Sequence, residues 1–504
     1  MLHLGKEQNL EVLRQVAVLL EAENKRLIER NLALTRELMA LKGEDASCLQ
    51  LRLQQLEEQL AQARQRLFGA STEKRPVEAA VSTAEPAPKP PQRGHGPRAQ
   101  PALPLVEVVH VLEEADKACL QCGGVLTEMA GQFEESEEVD VVERRFVLTK
   151  HKRQKYRCRC NGCIETALGP TKLFPGARYS VAFAIDVAVQ KYLDHLPLTR
   201  QVRIMGRENL LTESQTLWDY LDRLARLLSP AHEALHAYVL SQPLIGADET
   251  RWRMMGKNGK PGASWWQAWS VGTQDAICYR IEDSRSCEAA RRVLGDYKGK
   301  LMVDGYTVYK SLAGKGWHFL LLHCWAHARR KFFDIRDSYP QVAAVLDLIG
   351  ELYAVERLCP PGAEGDVLRL SLRQTRSREI VSRIHSWALA QRVLPESGLG
   401  KALTYLGGVW NGLVRFLEDA RLPLDNNAIE RAQRGLVVGR KNHYGSHSRR
   451  GTEVAALFYS LMESAKLVGL EPKHYLLLAV NAALRGEPIP LPHQLVAGAP
   501  KPPA

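Results

Sequence analysis

Three acidic residues stand where metal-assisted chemistry on phosphate esters would need them: Asp248 in LIGADET, Asp304 in LMVDGY and Glu430 in PLDNNAIERAQR. The first two close apolar runs that read as buried strands. The third lies in a helical stretch with basic residues one turn on. Two hard cations about 3.5–4 Å apart activate an attacking oxygen and stabilise a leaving one in an in-line displacement at phosphorus. Magnesium suits such a site because it takes oxygen ligands and keeps several waters, and manganese can replace it. Amides at these positions could not hold the ion. Taken singly, each acid also has a plain reading as a helix cap or a strand-end surface group. Asp425 is such a case and is expected to cap the helix that carries Glu430.

The elements that must position these acids follow from pattern. Pro243 to Asp248 runs into a first strand that continues towards Trp252–Met255, and the glycines of 256–262 supply a turn. Residues 264–271 and 276–281 read as two further strands. Ser284 caps a helix in SCEAARRVLGDY, and Lys300 to Asp304 reads as a short buried strand. Three antiparallel strands, a helix and a parallel strand beside the first is the ribonuclease-H-like order, which sets Asp248 beside Asp304. A fifth strand in HFLLLHCW precedes a long amphipathic stretch, VLDLIGELYAVERL through LGKALTYLGGVWNGLVRFLED, expected as a helical insertion ahead of the final helix.

In that final helix Asn426, Glu430 and Arg434 are spaced by four and share a face. Glu430 would complete the metal site while Arg434 reaches a phosphate. Residues 431–450 hold six Lys/Arg, His443, His447 and no acid. Arg431, Arg434, Arg440 and Lys441 are the expected DNA contacts, and the glycines at 435, 439 and 445 suggest a mobile loop along a backbone. His323, Cys324 and His327 read as a helix start with histidine near phosphate rather than as a second metal cluster.

Upstream, five of the ten cysteines fall between 119 and 163. Cys119 and Cys122 form a metal knuckle followed by two glycines. Cys160 and Cys163 have the matching spacing, with Cys158 as the competing ligand. Four thiolates at such spacing make a structural zinc site. Between the pairs the chain alternates and is strongly basic, so Lys152, Arg153 and Lys155 are expected on a phosphate-facing hairpin. Cys48, Cys278, Cys287, Cys324 and Cys359 read as small buried apolar residues. Further on, RQVRIMGRENLLTESQTLWDYLDRL has room for a helix-turn-helix, with Gly206 at the turn and Ser214 near a cap.

Leu13, Leu20, Leu27, Leu34 and Leu41 recur every seventh residue, with Asn24 and Asn31 at the alternate seam position. That is a coiled-coil pattern in which a buried Asn fixes register and dimerisation. No basic region precedes it, so it pairs subunits rather than reading DNA. From about Ala70 to Pro104 a Pro-rich, basic stretch without apolar period reads as a linker.

The whole chain of 504 residues carries a formal charge of +11, which suits a polyanionic partner. No run approaches the roughly 18 apolar residues of a membrane span. The start lacks a signal-peptide core, so a cytoplasmic, nucleoid-associated location is expected. The expected fold is multidomain α+β: coiled coil (1–69), linker (70–104), zinc-binding domain (105–168), helical segment (169–240), first part of a ribonuclease-H-like α/β catalytic core (241–330), helical insertion (331–420), final helix and basic loop (421–470) and an uninformative tail (471–504).

Together GADETRW, the Asp304-Gly-Tyr segment, HCWAHARRKF, PLDNNAIERAQRGLVVGRKN and FYSLMESAKLVGLEP resemble the insertion sequence 66 family of bacterial transposases. The zipper, RLFGASTEKR, the cysteine module and QKYLDHLPLTRQ are similar to that family too, so the likeness covers nearly the whole chain. The resemblance implies a DDE transposase that joins element ends to target DNA, with Asp248, Asp304 and Glu430 as its magnesium-binding triad. Element terminal repeats, target DNA, further copies of the chain and companion proteins of the same element are the implied partners. CRCNGC and HYGSHSRRG depart from the family pattern. A structure-specific nuclease and a non-catalytic DNA-binding regulator remain open on the residues alone.

Overall fold

The computed structural model describes residues 146–157, 164–255, 265–314 and 318–495, together with Arg26, Glu29, Arg30 and Ala33, which are helical and exposed. These belong to one compact unit, 1–69 with 146–504; the second unit, 70–145, lies outside the described residues. The zipper seam, the linker, the five clustered cysteines and the 256–264 turn lie outside them as well.

A small hairpin opens the described chain: β1 (Lys155–Arg157) pairs antiparallel with β2 (Ile164–Thr166). The hairpin expected on the basic run takes in Lys155 only at its start, since 146–154 has no regular structure. Three helices follow: α1 (Val181–Tyr192), α2 (Leu198–Arg207) and α3 (Ser214–Ser241). Gly206 sits in the last turn of α2 rather than in the connecting turn, where Asn209 takes the left-handed conformation instead.

The central sheet has five strands: β3 (Leu244–Arg253), β4 (Trp265–Gly272), β5 (Ile277–Glu282), β6 (Lys300–Val303) and β7 (Leu320–His323). Their spatial order is β5-β4-β3-β6-β7. β3, β4 and β5 are antiparallel neighbours, whereas β6 runs parallel to both β3 and β7. α4 (Cys287–Leu294) crosses between β5 and β6, and α5 (Thr307–Ala313) between β6 and β7. The cap of α4 is Ser286, whose hydroxyl accepts from the Ala289 amide; Ser284 instead bonds to the Ser286 hydroxyl.

On the sheet's opposite side lie α11 (Asn427–His443) and α12 (Arg449–Leu467). α12 is buried from Val454 to Ala465, as expected of a helix that is enclosed all round. Its Ser460 and Ser464 bond the β5 backbone. The segment expected as an uninformative tail folds as α13 (Pro472–Leu484), which buries Tyr475 and Leu476 in the same core. Pro472 at its start costs no hydrogen bond, because the first amides of a helix have no intrahelical partner.

Between β7 and α11 lies the helical insertion, whose hydrophobic core also takes in Met302 of β6 and Leu322 of β7. It comprises α6 (Trp325–Phe333), α7 (Val342–Arg357), α8 (Ala363–Leu372), a π turn at Arg373–Ser377, α9 (Arg378–Ala390) and α10 (Gly398–Leu413). Arg373, only 1% exposed, staples this unit. It bonds both Glu356 carboxylate oxygens at 2.7 and 2.8 Å, and the carbonyls of Phe416, Asp419 and Leu422 at 2.8–3.0 Å. Lys300 at the start of β6 pairs with Asp419 at 2.6 Å. The chain returning from the insertion is thereby fixed to the sheet just before it enters α11.

Candidate active site

β3 and β6 are held in parallel register by the pairs Leu244–Lys300, Ile245–Leu301 and Gly246–Met302. Two residues further along each strand come Asp248 and Asp304, so the register sets them side by side. Asp304 lies one residue past the end of β6, where its Oδ1 accepts the Tyr306 amide at 2.8 Å. Gly305 then turns the chain at a φ of 100°, a conformation that disfavours any residue with a Cβ. The Tyr405 hydroxyl of α10 donates to the Asp304 carbonyl, so the insertion grips this turn directly.

α11 is pressed onto β3 and β4 from one face. Asn426 donates to the Ala247 carbonyl at 2.9 Å, and Gln433 donates to the Ser270 hydroxyl, which in turn bonds the Asp248 carbonyl at 3.0 Å. The approach depends on glycine. A side-chain carbon at Gly272 would sit 2.9 Å from Ile429 Cδ1, and one at Gly246 would collide with Asn426 Oδ1. Gly246 and Asp248 share a strand face, so Asp248 looks towards α11, whose first turn carries Glu430.

A second helix start meets the same spot. Cys324 is the cap residue of α6, and its sulfur accepts the Asn426 amide at 3.3 Å. His327 Nδ1 lies 3.5 Å from Glu430 Oε1. One donor atom each from Cys324, His327 and Glu430 falls within 4.8 Å of the other two, the grouping of this kind found among the described residues. Among the described residues neither His327 Nδ1 nor Glu430 Oε1 has a hydrogen-bond partner, although both atoms are buried. The reading of HCWAH as a helix start holds for Cys324 and His327, but their approach to Glu430 arises only in three dimensions.

Burial pushes the Asp248 carboxyl up to about 8, reinforced by the negative charges of Glu249, Asp304 and Glu430. Glu249 was not singled out in the sequence. It points to the other sheet face, where burial raises it while Arg285 and the Tyr309 hydroxyl counter that rise. Arg285 also stacks 3.6 Å over the Tyr306 ring, bracing the turn that follows Asp304. Among the described residues no Lys or Arg forms an ion pair with Asp248, Asp304 or Glu430. Carboxylates concentrated without a counter-charge are a ready site for a divalent cation.

Of the expected DNA contacts, Arg431, Arg434 and Lys441 are exposed on α11. Arg440 instead turns inwards, donating to the Thr250 hydroxyl at 3.1 Å. Asn426 is 3% exposed, so it docks the helix rather than sharing a solvent face with Arg434. The mobile loop expected around Gly435 and Gly439 is corrected: both lie inside α11. They are small because His195, Tyr459 and Glu463 press against that side. The loop is confined to 444–448, with Gly445 at a φ of 92°. Asp425 accepts the Asn427 amide at 3.1 Å and so satisfies one free amide at the helix start. Lys152 and Lys155 are exposed near β1, while Arg153 donates to the Ala167 carbonyl at 2.6 Å.

The family model described as Transposase IS66 family matches residues 176–454, more than half the chain, and takes in all three acids. This chain belongs to the IS66 transposase family. A second model, the zinc-finger binding domain of transposase IS66, matches 116–161. That span includes Cys119, Cys122, Cys158 and Cys160 and stops short of Cys163. Among relatives, the uncharacterized protein y4jD of Sinorhizobium fredii is 32% identical over 392 residues, 74% of this chain and 76% of its own length. The uncharacterized protein y4qI of the same organism is 29% identical over 418 residues, 79% of this chain and 76% of its own. Among the described residues no helix is long and apolar enough to cross a membrane.

Proposed function

We propose that this IS66-family chain is a DDE transposase that cleaves and transfers DNA strands at Asp248, Asp304 and Glu430. The observation that supports it is the placement of the acids without a Lys or Arg partner among the described residues: Asp248 and Asp304 follow the paired stretch of two parallel strands by the same two residues, and a glycine-dependent dock lays α11, which carries Glu430, on β3 and β4. The strand order β5-β4-β3-β6-β7, with only β6 and β7 parallel to β3, supports a ribonuclease-H-like core interrupted by the insertion.

The residues fit a divalent cation. Asp248 is half-buried among acids and, among the described residues, has no Lys or Arg partner, and Glu430 Oε1 is buried with no hydrogen bond to any of them. Asp248 and Asp304 would hold the ion, with Glu430 completing the oxygen donors. When bound, magnesium or manganese supplies activation of the attacking oxygen and charge stabilisation at the leaving one. The protein's part is positioning. Tyr405 and Tyr306 fix the Asp304 turn, Asn426 and Gln433 fix the angle of α11, and Arg431, Arg434 and Lys441 offer charge to DNA phosphates.

The remaining parts fit the same reading. A zinc held by Cys119, Cys122 and two of Cys158, Cys160 and Cys163 would stabilise a DNA-contacting module. The zipper would pair subunits, and the protein would work at the nucleoid, with companion proteins of the element as further partners. The test is a strand-transfer assay with the element's own ends. Joined products with the wild-type chain, lost in the Asp248→Asn, Asp304→Asn and Glu430→Gln variants, are expected. Cleavage without joining would move the reading to a nuclease, and DNA binding without either to a regulator.

A further inference from the structure

The transposase reading leaves one charged element without a role. α2 carries Arg200, Arg203 and Arg207, all exposed, and its ten residues contain no acid. Spacings of three and four place the three side chains on one face. None forms an ion pair among the described residues. On a protein's own surface such arginines commonly find a carboxylate, so three left bare on one helix face point outwards to an anionic partner.

The opposite face of α2 is anchored. Gln201 is fully buried and donates to the carbonyls of Val187 and Leu196, and Met205 enters the core at 1% exposure. The position of α2 also relates it to the candidate active site. Three residues before it, His195 takes a left-handed conformation at a φ of 60°. Its ring packs where a side-chain carbon on Gly439 of α11 would lie 3.0 Å away. α2 therefore starts beside the helix that carries Glu430, Arg434 and Lys441.

The neighbouring α3 does not share this character. It follows α2 after a turn, as the reading helix of a helix-turn-helix would, but its first turns bury Leu217, Tyr220, Leu221 and Leu224. Its Asp222 is committed to ion pairs with Arg226 and Arg450. Its exposed face mixes Asp219 with Arg223 and Arg226, whereas α2 offers arginines without an acid.

We propose that α2 is a contact for the phosphate backbone of duplex DNA, made by Arg200, Arg203 and Arg207. The proposal rests on the transposase reading and names a surface for its substrate beyond α11. Seven residues of helix span about 10 Å, close to the rise of three base pairs at about 3.4 Å each. The contact carries charge and no base recognition, so it strengthens binding alike on any sequence.

The test measures the salt dependence of binding to a fluorescent duplex of arbitrary sequence, using the full chain. Arg200→Gln, Arg203→Gln and Arg207→Gln combined should flatten the slope of log affinity against log salt by up to about 0.9 for each phosphate that is no longer neutralised. The matching triple lysine variant, which keeps the charge, should retain most of the slope. A glutamine variant that keeps both its thermal midpoint and the wild-type slope overturns the proposal while leaving the transposase reading intact. If the wild-type chain does not bind duplex DNA, both fall. Loss of binding to anionic vesicles with duplex binding unchanged would likewise overturn it.

Discussion

Two ionisable groups drawn in from solvent are handled in opposite ways in this molecule. Arg373, in the insertion, is enclosed and fully answered: a carboxylate takes it in bidentate fashion and three carbonyls accept its remaining protons. Asp248, in the sheet, is half-buried, yet its neighbours are further acids and among the described residues no Lys or Arg pairs with it. A satisfied buried charge fixes structure, because breaking it leaves its partners stranded. An unsatisfied one destabilises the fold unless a ligand compensates it, which makes it a candidate for function. Arg373 thus serves to hold the insertion together, whereas Asp248 is left open to a ligand.

The strongest way to break this contrast is at the acids. Asp248→Asn, Asp304→Asn and Glu430→Gln should each bring cleavage and strand transfer down to background while duplex binding persists, since each keeps shape and removes charge. Gel-based transfer assays and fluorescence anisotropy on the same samples read both quantities. Full transfer by Glu430→Gln would falsify its place in the triad.

Arg373→Met should act on stability instead. Removing one partner of a buried pair costs about 3–5 kcal/mol, read as a lower urea midpoint. A variant as stable as wild type would mean that the staple is dispensable.

Asp248→Asn should move stability the other way in metal-free protein. The folded-state pKa of Asp248, about 8, lies above that of an unfolded aspartate near 3.9. The stability tied to its neutral form is therefore present below pH 4 and lost as pH rises towards 8. Asparagine carries no such loss. The variant should gain over wild type by at most about 1.4 kcal/mol per pH unit across that window, and the two should converge at pH 4. Thermal midpoints at pH 5 and pH 8 in chelator check it; an equal gap at both would refute the assignment.

A smaller effect is expected at His327, which lies against Glu430. His327→Ala should reduce turnover by about tenfold, the scale of losing a residue that orients a ligand, with the thermal midpoint little changed. Smallest of all, Asp425→Asn should keep nearly full activity, because asparagine accepts the helix-start amide about as well.

Much of the sheet was legible from apolar runs bounded by turn residues; Asp304 falls one residue past the end of β6, whereas Asp248 sits mid-strand in β3. Glu430 was legible from its helical context among basic residues. What the sequence hid came from long-range packing. Tyr405 reaches Asp304 across 101 positions and Asn426 reaches Ala247 across 179, and no local period marks either. Gly435 and Gly439 misled for a related reason: glycine serves both a loop and a crowded helix face, and only the neighbouring Tyr459 and His195 tell them apart. The helical insertion was visible by period, but its buried arginine was not, since one Arg among many carries no sign of enclosure.

The grip of Tyr405 on the turn after Asp304 has a consequence for how such a chain can diversify. The insertion cannot be exchanged as an independent cassette, because one of its helices finishes the shape of the sheet's own loop. A graft would have to deliver a hydroxyl of the same reach to a glycine of the same conformation, or leave the second aspartate misaligned. Growth and loss of chain should therefore concentrate at the α7–α8 connection, around 358–362, where the chain is mostly exposed and far in sequence from that joint.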